Sequence, residues 1–185
     1  GREWVADDML AVRLRCNGNA RGWRAGQHVQ LYLQLAGVRH SRSYSLTRVE
    51  CDGCVELAIR RQPGGRLSNH LLDHLSVGAL LELGQAQGEL CWPAASTGVA
   101  LLAAGSGITP LLGLLREALA RGFTAPIKLL HYIREQGQQP FVAELQQLMQ
   151  RYPNLSVRWA LTGQMASGTE LHGRFSGEHL QGLAL

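Results

Sequence analysis

The first half of the chain alternates between apolar and polar positions in short runs. Alternation with a period of two is typical of strands that bury one face. Gly, Asn and Asp residues separate these runs and suit tight turns. Regular short strands at this spacing predict an antiparallel barrel or sandwich, interrupted by one short helix with Ser68 as its N-cap. The predicted strands cover residues 9–16, 26–35, 41–49, 54–61 and 78–84.

The pattern changes after Pro93. A continuous apolar run over 97–105 predicts a strand that is covered on both faces. Residues 109–122 follow as a predicted helix, with Thr109 as its N-cap and Gly122 at its end. Strand, helix and strand then alternate, which is the signature of a parallel, doubly wound sheet. These three elements cover residues 127–133, 140–152 and 155–161.

The two patterns predict two domains. Residues 1–95 are expected to form an antiparallel β-barrel, and residues 96–185 a parallel, Rossmann-like α/β domain. Three parallel strands make a thin sheet for a domain that stands alone. We therefore expect the second domain to be incomplete at its C-terminus.

Composition narrows the class of protein. Hydrophobic residues make up 45% of the chain and charged residues 17%, and no apolar run has the length of a membrane span. No basic-then-apolar leader opens the sequence, so a cytoplasmic protein is expected. The net charge of +4 comes mostly from Arg in the first half, and nucleic acid, phosphate-bearing cofactors or an acidic protein could each match it. Aromatic residues are only 6% and do not interleave with Arg, which argues against nucleic acid.

Two of the four cysteines, Cys51 and Cys54, form a C-x-x-C motif. Such a motif can indicate zinc, redox chemistry or a disulfide. However, Asp52-Gly53 is a strong hairpin signal, and no second C-x-x-C or His pair completes a metal site. We therefore interpret the segment as a two-residue turn flanked by reduced thiols, with no metal.

The predicted strand 41–49 carries an unusual set of side chains. Alternation places Arg42 and Tyr44 on one face, and Ser43 and Ser45 on the other. An Arg beside a Tyr could hold a phosphate and a flat ring. An edge strand without a ligand would look the same.

Two glycine-rich turns could bind phosphate. Gly105-Ser106-Gly107 joins a buried strand to a helix, where free N–H groups and the helix dipole favour an anion. Gly64 and Gly65 precede Ser68 and a short helix in the same way. In each case a plain tight turn is the alternative.

Taken together, three motifs resemble the ferredoxin–NADP reductase superfamily over almost the whole chain. They are Arg-Ser-Tyr-Ser at 42–45, Gly-Arg-Leu-Ser at 65–68 and Gly-Ser-Gly-Ile-Thr-Pro at 105–110. The resemblance implies that the barrel binds a flavin, FAD rather than FMN, and that the second domain binds NAD(P)H.

The resemblance also implies roles for individual residues. Arg42 would pair with the flavin phosphate, Tyr44 would pack against the isoalloxazine, and Ser45, beside Ser43, would lie near the ring nitrogen that accepts hydride. Tyr44, Ser45 and Thr109 would be the catalytic positions. The remaining cofactor-binding positions are Ile59, Arg60, Gly65, Leu67 and Ser68 for the pyrophosphate of FAD, and Gly105, Gly107, Thr109 and Arg134 for NAD(P)H. At residues 162–164 the sequence is Thr-Gly-Gln rather than the Ser-Arg pair of NADP-specific relatives.

By the same resemblance, electrons would pass from NAD(P)H through FAD to an iron–sulfur protein or flavodoxin, and the excess of Arg would suit an acidic electron partner. The alternative is a flavin-binding coupling or regulatory subunit without turnover of its own. No C-x4-C-x2-C cluster motif occurs, and the Cys-Gly-Pro stretch and C-terminal aromatic residue of that superfamily are absent from these 185 residues.

Overall fold

The computed structural model describes residues 1–94, 97–135, 137–163 and 171–181. The first sheet is antiparallel and has six strands in the order β1-β2-β5-β4-β3-β6. The helix α1 (Arg66–His74) follows β5. The strands are β1 (Arg2–Ala6), β2 (Met9–Arg15), β3 (His28–Leu35), β4 (Val38–Val49), β5 (Cys54–Arg60) and β6 (Glu82–Leu83).

The second sheet is parallel and has four strands in the order β10-β9-β8-β7. A short 3₁₀ turn at Gly105–Gly107 joins β7 to α2. The barrel-like antiparallel sheet followed by a parallel α/β sheet confirms the predicted fold class. The elements are β7 (Val99–Ala104), α2 (Ile108–Ala120), β8 (Ile127–Ile133), α3 (Val142–Arg151), β9 (Leu155–Leu161), β10 (Leu171–His172) and α4 (Gly177–Gln181).

Two strands of the first sheet serve two cores. Along β2, Leu10 points into the barrel core, whereas its neighbours Met9 and Ala11 belong to the core beneath α2 and α3. In β5, Leu57 and Ala58 divide in the same way. Since successive side chains of a strand point to opposite faces, one strand can pack against both layers at once. The barrel and the α/β sheet are therefore joined by a shared apolar interior.

Both predicted helix caps are wrong. The N-cap of α1 is Gly65, not Ser68, and the N-cap of α2 is Gly107, not Thr109. In each case a glycine turn carries the chain into the helix earlier than a capping hydroxyl would. Ser68 and Thr109 instead lie buried in the first turn of their helices.

Three further expectations need correction. The hairpin at Cys51 and Cys54 is present, and both thiols are free. Its turn spans four residues, from Glu50 to Gly53, and not two. The hydrogen bond from the N–H of Glu50 to the carbonyl of Cys54, at 2.8 Å, closes this turn. β7 is covered on one face only in the described part of the chain, and Leu102 on its other face is 44% exposed. β1, β10 and α4 were not predicted.

The expected domain boundary near residue 95 lies beside residues 95 and 96, which are outside the described ranges, and it stays a prediction. Among the described helices, none has both the length and the apolar character needed to cross a membrane.

We predict that Leu112→Ala lowers the free energy of unfolding by about 2–5 kcal/mol, because the side chain is fully buried beneath α2 and its removal leaves a cavity. Urea unfolding followed by circular dichroism measures the change. Leu102→Ala is the matched control, and we expect it to cost less than about 1 kcal/mol because Leu102 is half exposed. Equal losses in the two variants would contradict this description of the core.

Candidate functional site

The exposed guanidinium of Arg42 has no acidic partner in the described part of the chain. Its Nη1 donates to the carbonyl of the neighbouring Ser41 at 2.7 Å. The β3–β4 ladder fixes the strand by pairing Leu31 with Arg42. Many other arginines of the chain pair with carboxylates, but this one remains available to an anionic ligand.

Tyr44 lies half-buried at the rim of the barrel core. Burial raises the pKa of Tyr44 to about 12, against a smaller opposite effect of the Arg42 charge. The phenol is therefore neutral at physiological pH. Ser43 is exposed and its Oγ accepts a hydrogen bond from Gln30 at 2.7 Å, whereas Ser45 is half-buried on the same strand. Consecutive positions of this strand therefore carry a cation, a ring and two hydroxyl groups.

The turn before α1 is too tight for any residue but glycine at position 65. A Cβ on Gly65 would lie 2.6 Å from the Oγ of Ser68 and 2.9 Å from the Cβ of Gln62. The side chain of Asn69 supports the turn, since its Oδ1 accepts the N–H of Gln62 at 3.3 Å. The first turn of α1 has no acidic residue and no side-chain cap. Its N–H groups can therefore receive an anion.

The turn before α2 leaves space for a ligand as well. Gly105 has a φ of +52°, a conformation that favours glycine, and the space beside the Cα of Gly107 holds no atom within 4 Å. Thr109 is buried, and its hydroxyl donates to the carbonyl of Ser106 at 3.0 Å. As in α1, no side chain caps the helix and no acidic residue occupies its first turn.

His131 supports this turn from below and was not identified from the sequence. The side chain is fully buried, and its Nε2 lies 2.8 Å from the carbonyl oxygen of Gly105. Burial lowers the pKa of His131 to about 4, and the charge of Arg60 acts in the same direction. The ring is therefore neutral at pH 7, with its proton on Nε2 donated to Gly105. Its Nδ1 is buried and has no hydrogen-bond partner among the residues that the structure describes.

Arg60 reaches from the barrel to the second sheet. Its Nε donates to Asp8 at 2.7 Å and its Nη2 to Gln138 at 3.3 Å. Its Nη1 lies 3.1 Å from the place where a Cβ of Gly105 would be. The Arg60 side chain is thus held between the barrel and the Gly105–Gly107 turn. The side chains of two further candidates, Ile59 and Leu67, are buried in the core. Only the backbone of these two residues can therefore face a ligand.

Arg134 directly follows β8, the neighbour of β7, which ends at Ala104 just before the second turn. Its side chain is exposed and its Nε is 3.7 Å from Glu135. The backbone of Gly163, after β9, approaches it closely, because the N–H of Gly163 donates to the carbonyl of Arg134 at 3.0 Å. Gln164, which bears on the nucleotide preference, lies outside the described residues.

The helix that follows the second turn packs on the strand that carries Tyr44 and Ser45. The helix that starts at the Gly105–Gly107 turn crosses β4 so closely that a Cβ on Gly113 would lie 2.5 Å from the carbonyl oxygen of Leu46. Leu46 directly follows Ser45. The turn at Gly65 follows β5, which pairs with β4.

Comparison with known proteins agrees with this arrangement. Residues 2–92 match the family described as oxidoreductase FAD-binding domain, and residues 101–183 match the oxidoreductase NAD-binding domain. The chain belongs to the ferredoxin–NADP reductase superfamily. The two matches confirm the expected cofactors, with FAD assigned to the first domain and NAD(P)H to the second.

Individual relatives extend the comparison. One component of the 1,2-phenylacetyl-CoA epoxidase of Escherichia coli K12 is 32% identical over 165 residues, which are 87% of this chain and 46% of that protein. Among solved structures, an Amycolatopsis cytochrome P450 reductase superposes with a TM-score of 0.84 at 25% identity, over 99% of this chain and 56% of that one. The ferredoxin reductase in carbazole 1,9a-dioxygenase gives a TM-score of 0.78 at 26% identity, over 94% and 52%. The chain thus spans about half the length of these relatives.

We predict that Arg42→Ala and Tyr44→Ala each raise the dissociation constant of FAD by about 10- to 100-fold. The first removes a charge-assisted contact to phosphate and the second removes a ring that can stack, and each contact is worth about 1.5–3 kcal/mol. Fluorescence titration of the apoprotein measures the affinity. Arg39→Ala is the matched control on the same strand, since Arg39 pairs with Glu82. Unchanged affinity in both site variants would refute the assignment.

The buried neutral state of His131 predicts a dependence of stability on pH. Because its pKa is about 4 in the folded protein and ordinarily 6.5, the unfolded chain takes up the proton first. The free energy of unfolding therefore falls as the pH drops from 6.5 to 4. We predict that His131→Gln makes this fall shallower by about 2 kcal/mol between pH 6.5 and 5. Urea unfolding at several pH values measures it, and the exposed His172 supplies the control variant His172→Gln. Parallel curves for wild type and His131→Gln would contradict the prediction.

Proposed function

We propose that the protein is an NAD(P)H-dependent flavoprotein reductase that passes electrons from NAD(P)H through FAD to an iron–sulfur protein or flavodoxin. One observation carries the proposal. The helix that begins at the Gly105–Gly107 turn packs directly on β4, within one residue of Ser45. A nucleotide on that turn and a ring beside Tyr44 would therefore be held by two elements that are in direct contact.

The residues at this interface fit FAD. The exposed guanidinium of Arg42, which meets no carboxylate in the described part of the chain, suits a phosphate. The free N–H groups at the start of α1, with Gly65 and Ser68, suit the rest of the pyrophosphate. The half-buried ring of Tyr44 offers a face for the isoalloxazine, with Ser45 near its reactive nitrogen.

The second turn fits the other nucleotide. Gly107 leaves open space for a phosphate group, and Gly105 receives support from His131 beneath it. The hydroxyl of Thr109 stabilises the turn through its hydrogen bond to the carbonyl of Ser106. The position of Thr109 in the first helical turn suits the nicotinamide end. Arg134 lies one strand away at the same edge, where the adenosine would extend.

When bound, FAD would accept a hydride from NAD(P)H and release the two electrons singly to the acceptor. The chain's own part is to bind and orient the two groups. Neither Tyr44 nor His131 changes charge near neutral pH, because burial keeps the phenol protonated and the imidazole neutral. Hydride transfer between the two cofactors requires no general base from the protein.

The identity of the acceptor rests on chemistry and on the relatives. The net charge of +4 favours an acidic protein partner. One relative is a ferredoxin reductase, another a cytochrome P450 reductase and a third an epoxidase component, so reductases of this shape serve different oxygenase systems. A small acidic iron–sulfur protein or flavodoxin matches the charge.

We predict that the purified protein is yellow, and that anaerobic addition of NADH or NADPH bleaches the flavin absorbance. The more effective nucleotide identifies the preference. Adding an acidic ferredoxin or flavodoxin should then restore the oxidised spectrum, at a rate that falls as salt is raised.

Two results would count against the proposal. A protein that neither carries nor takes up FAD is not a flavoprotein. A protein that holds FAD but is reduced by neither nucleotide would instead be a flavin-binding coupling or regulatory subunit.

A further inference from the structure

The guanidinium of Arg116, in the middle of α2, connects three elements. Its Nη1 donates to the carbonyl of Thr47 on β4 at 2.8 Å and to Glu56 on β5 at 2.7 Å. Its Nε donates to Glu144 on α3 at 2.7 Å, and its Nη2 donates to the other carboxylate oxygen of the same residue. The side chain of Arg116 is only 11% exposed.

The acceptor on β4 exists because the strand bulges. The register of β4 and β5 shifts between Leu46 and Arg48, so that Thr47 has no direct partner in the ladder. A bulge redirects the backbone groups of the extra residue. Here the freed carbonyl of Thr47 accepts a hydrogen bond from Arg116. The hydroxyl of Thr47 donates to Glu56 at 2.7 Å.

The charges in this cluster balance. Arg48 approaches Glu144 at 3.4 Å and Glu56 at 4.0 Å, which adds a second cation to the two carboxylates. Although burial acts to raise the pKa of Glu56, the charge of Arg116 and the hydrogen bonds to it hold that pKa below its usual value. The Glu56 carboxylate is therefore ionised at neutral pH. We call Thr47, Arg48, Glu56, Arg116 and Glu144 the Arg116 network.

A second contact lies one helical turn away. Gly113, at position i−3 from Arg116, faces the carbonyl of Leu46 at a separation that leaves no room for a methyl group. The helix thus rests on the strand at Gly113 and is tied to it at Arg116.

We propose that the Arg116 network and the Gly113 contact set the position of the Gly105–Gly107 turn over the Tyr44–Ser45 segment, so that Arg116 is a positioning residue for hydride transfer. This inference rests on the proposed function. Arg116 touches neither of the two turns nor the ring of Tyr44, and it acts through the helix and strand that carry them.

The distances make such control effective. From Arg116 to the start of α2 at Ile108 the helix rises about 12 Å, and from Thr47 to Ser45 the strand runs about 7 Å. A rotation of about 5° around Arg116 would move the start of the helix by about 1 Å. Reacting atoms must meet at about 3–3.5 Å, and a misplacement of about 1 Å can cost about 100-fold in rate.

Two variants disturb the contact in different ways. Arg116→Met removes the guanidinium, and Gly113→Ala inserts a methyl group where Leu46 leaves only 2.5 Å. Alanine is the better helix former, so the second variant is not expected to unfold α2. Should Arg116→Met fold poorly because Glu56 is left unpaired, the double variant Arg116→Met/Glu56→Gln removes that charge as well. Arg121→Met is the control, since this exposed arginine lies at the end of the same helix.

We expect both variants to slow the anaerobic reduction of the flavin by about 10- to 100-fold. The dissociation constants of FAD and of NAD⁺ or NADP⁺ should change by less than about threefold, because the binding residues are untouched. The charge-transfer absorbance between nicotinamide and flavin should weaken, and Arg121→Met should behave as wild type. A purely stabilising role for Arg116 would lower the melting temperature but leave the reduction rate and this absorbance unchanged, which would overturn the proposal.

Hydrogen exchange provides a readout that needs no turnover. In the cofactor-free protein, amides of β4 and of the Gly105–Gly107 turn should exchange faster in both variants than in wild type or Arg121→Met. If wild type is not reduced by either nucleotide, the proposed function fails while exchange still tests the coupling between strand and turn. Unchanged exchange in the turn in both variants would show that the Arg116 network does not position it.

Discussion

The close packing of α2 on β4 is the constraint on which the rest of the structure depends. A helix backbone can approach a strand this closely only where the side chain is missing, and Gly113 is that place. The approach brings Arg116 within reach of the bulged carbonyl of Thr47. The helix that begins at the Gly105–Gly107 turn and the strand that carries Tyr44 are thereby held together, although they are far apart in the chain.

The apolar interior reinforces this arrangement. Alternate residues of β2 and β5 enter two different cores, so the barrel and the α/β sheet are not separate hydrophobic units. Arg60, with Asp8 and Gln138, adds polar contacts across the same boundary, close to Gly105. The proposed hydride transfer requires the two nucleotides to be held at a fixed separation, and a shared core is a direct way to achieve it.

Much of the fold could be predicted from periodicity. β8 and β9 have the predicted bounds, because each is a short, largely apolar segment that alternates with a predicted helix. β1 was missed because its sequence is mixed and only its last two residues are even partly buried. The helix caps were wrong because a glycine turn can enter a helix without a capping side chain, which the preference for Ser and Thr does not reveal. The supporting residues of the site were harder to find, since Arg116 is one charged residue on an amphipathic helix and His131 one polar residue in an apolar strand, and their roles depend on partners distant in the chain.

The small side chains at Ala11 and Ala58 have a consequence of their own. They stand where the outer face of the barrel meets the layer beneath α2 and α3, and each is almost fully buried. Close-packed interiors have no spare volume, so a bulkier residue at either place would wedge the layers apart. The two methyl groups thus set the distance between the barrel and the helices α2 and α3. Polar contacts across the boundary could not restore that distance if a bulkier side chain increased it.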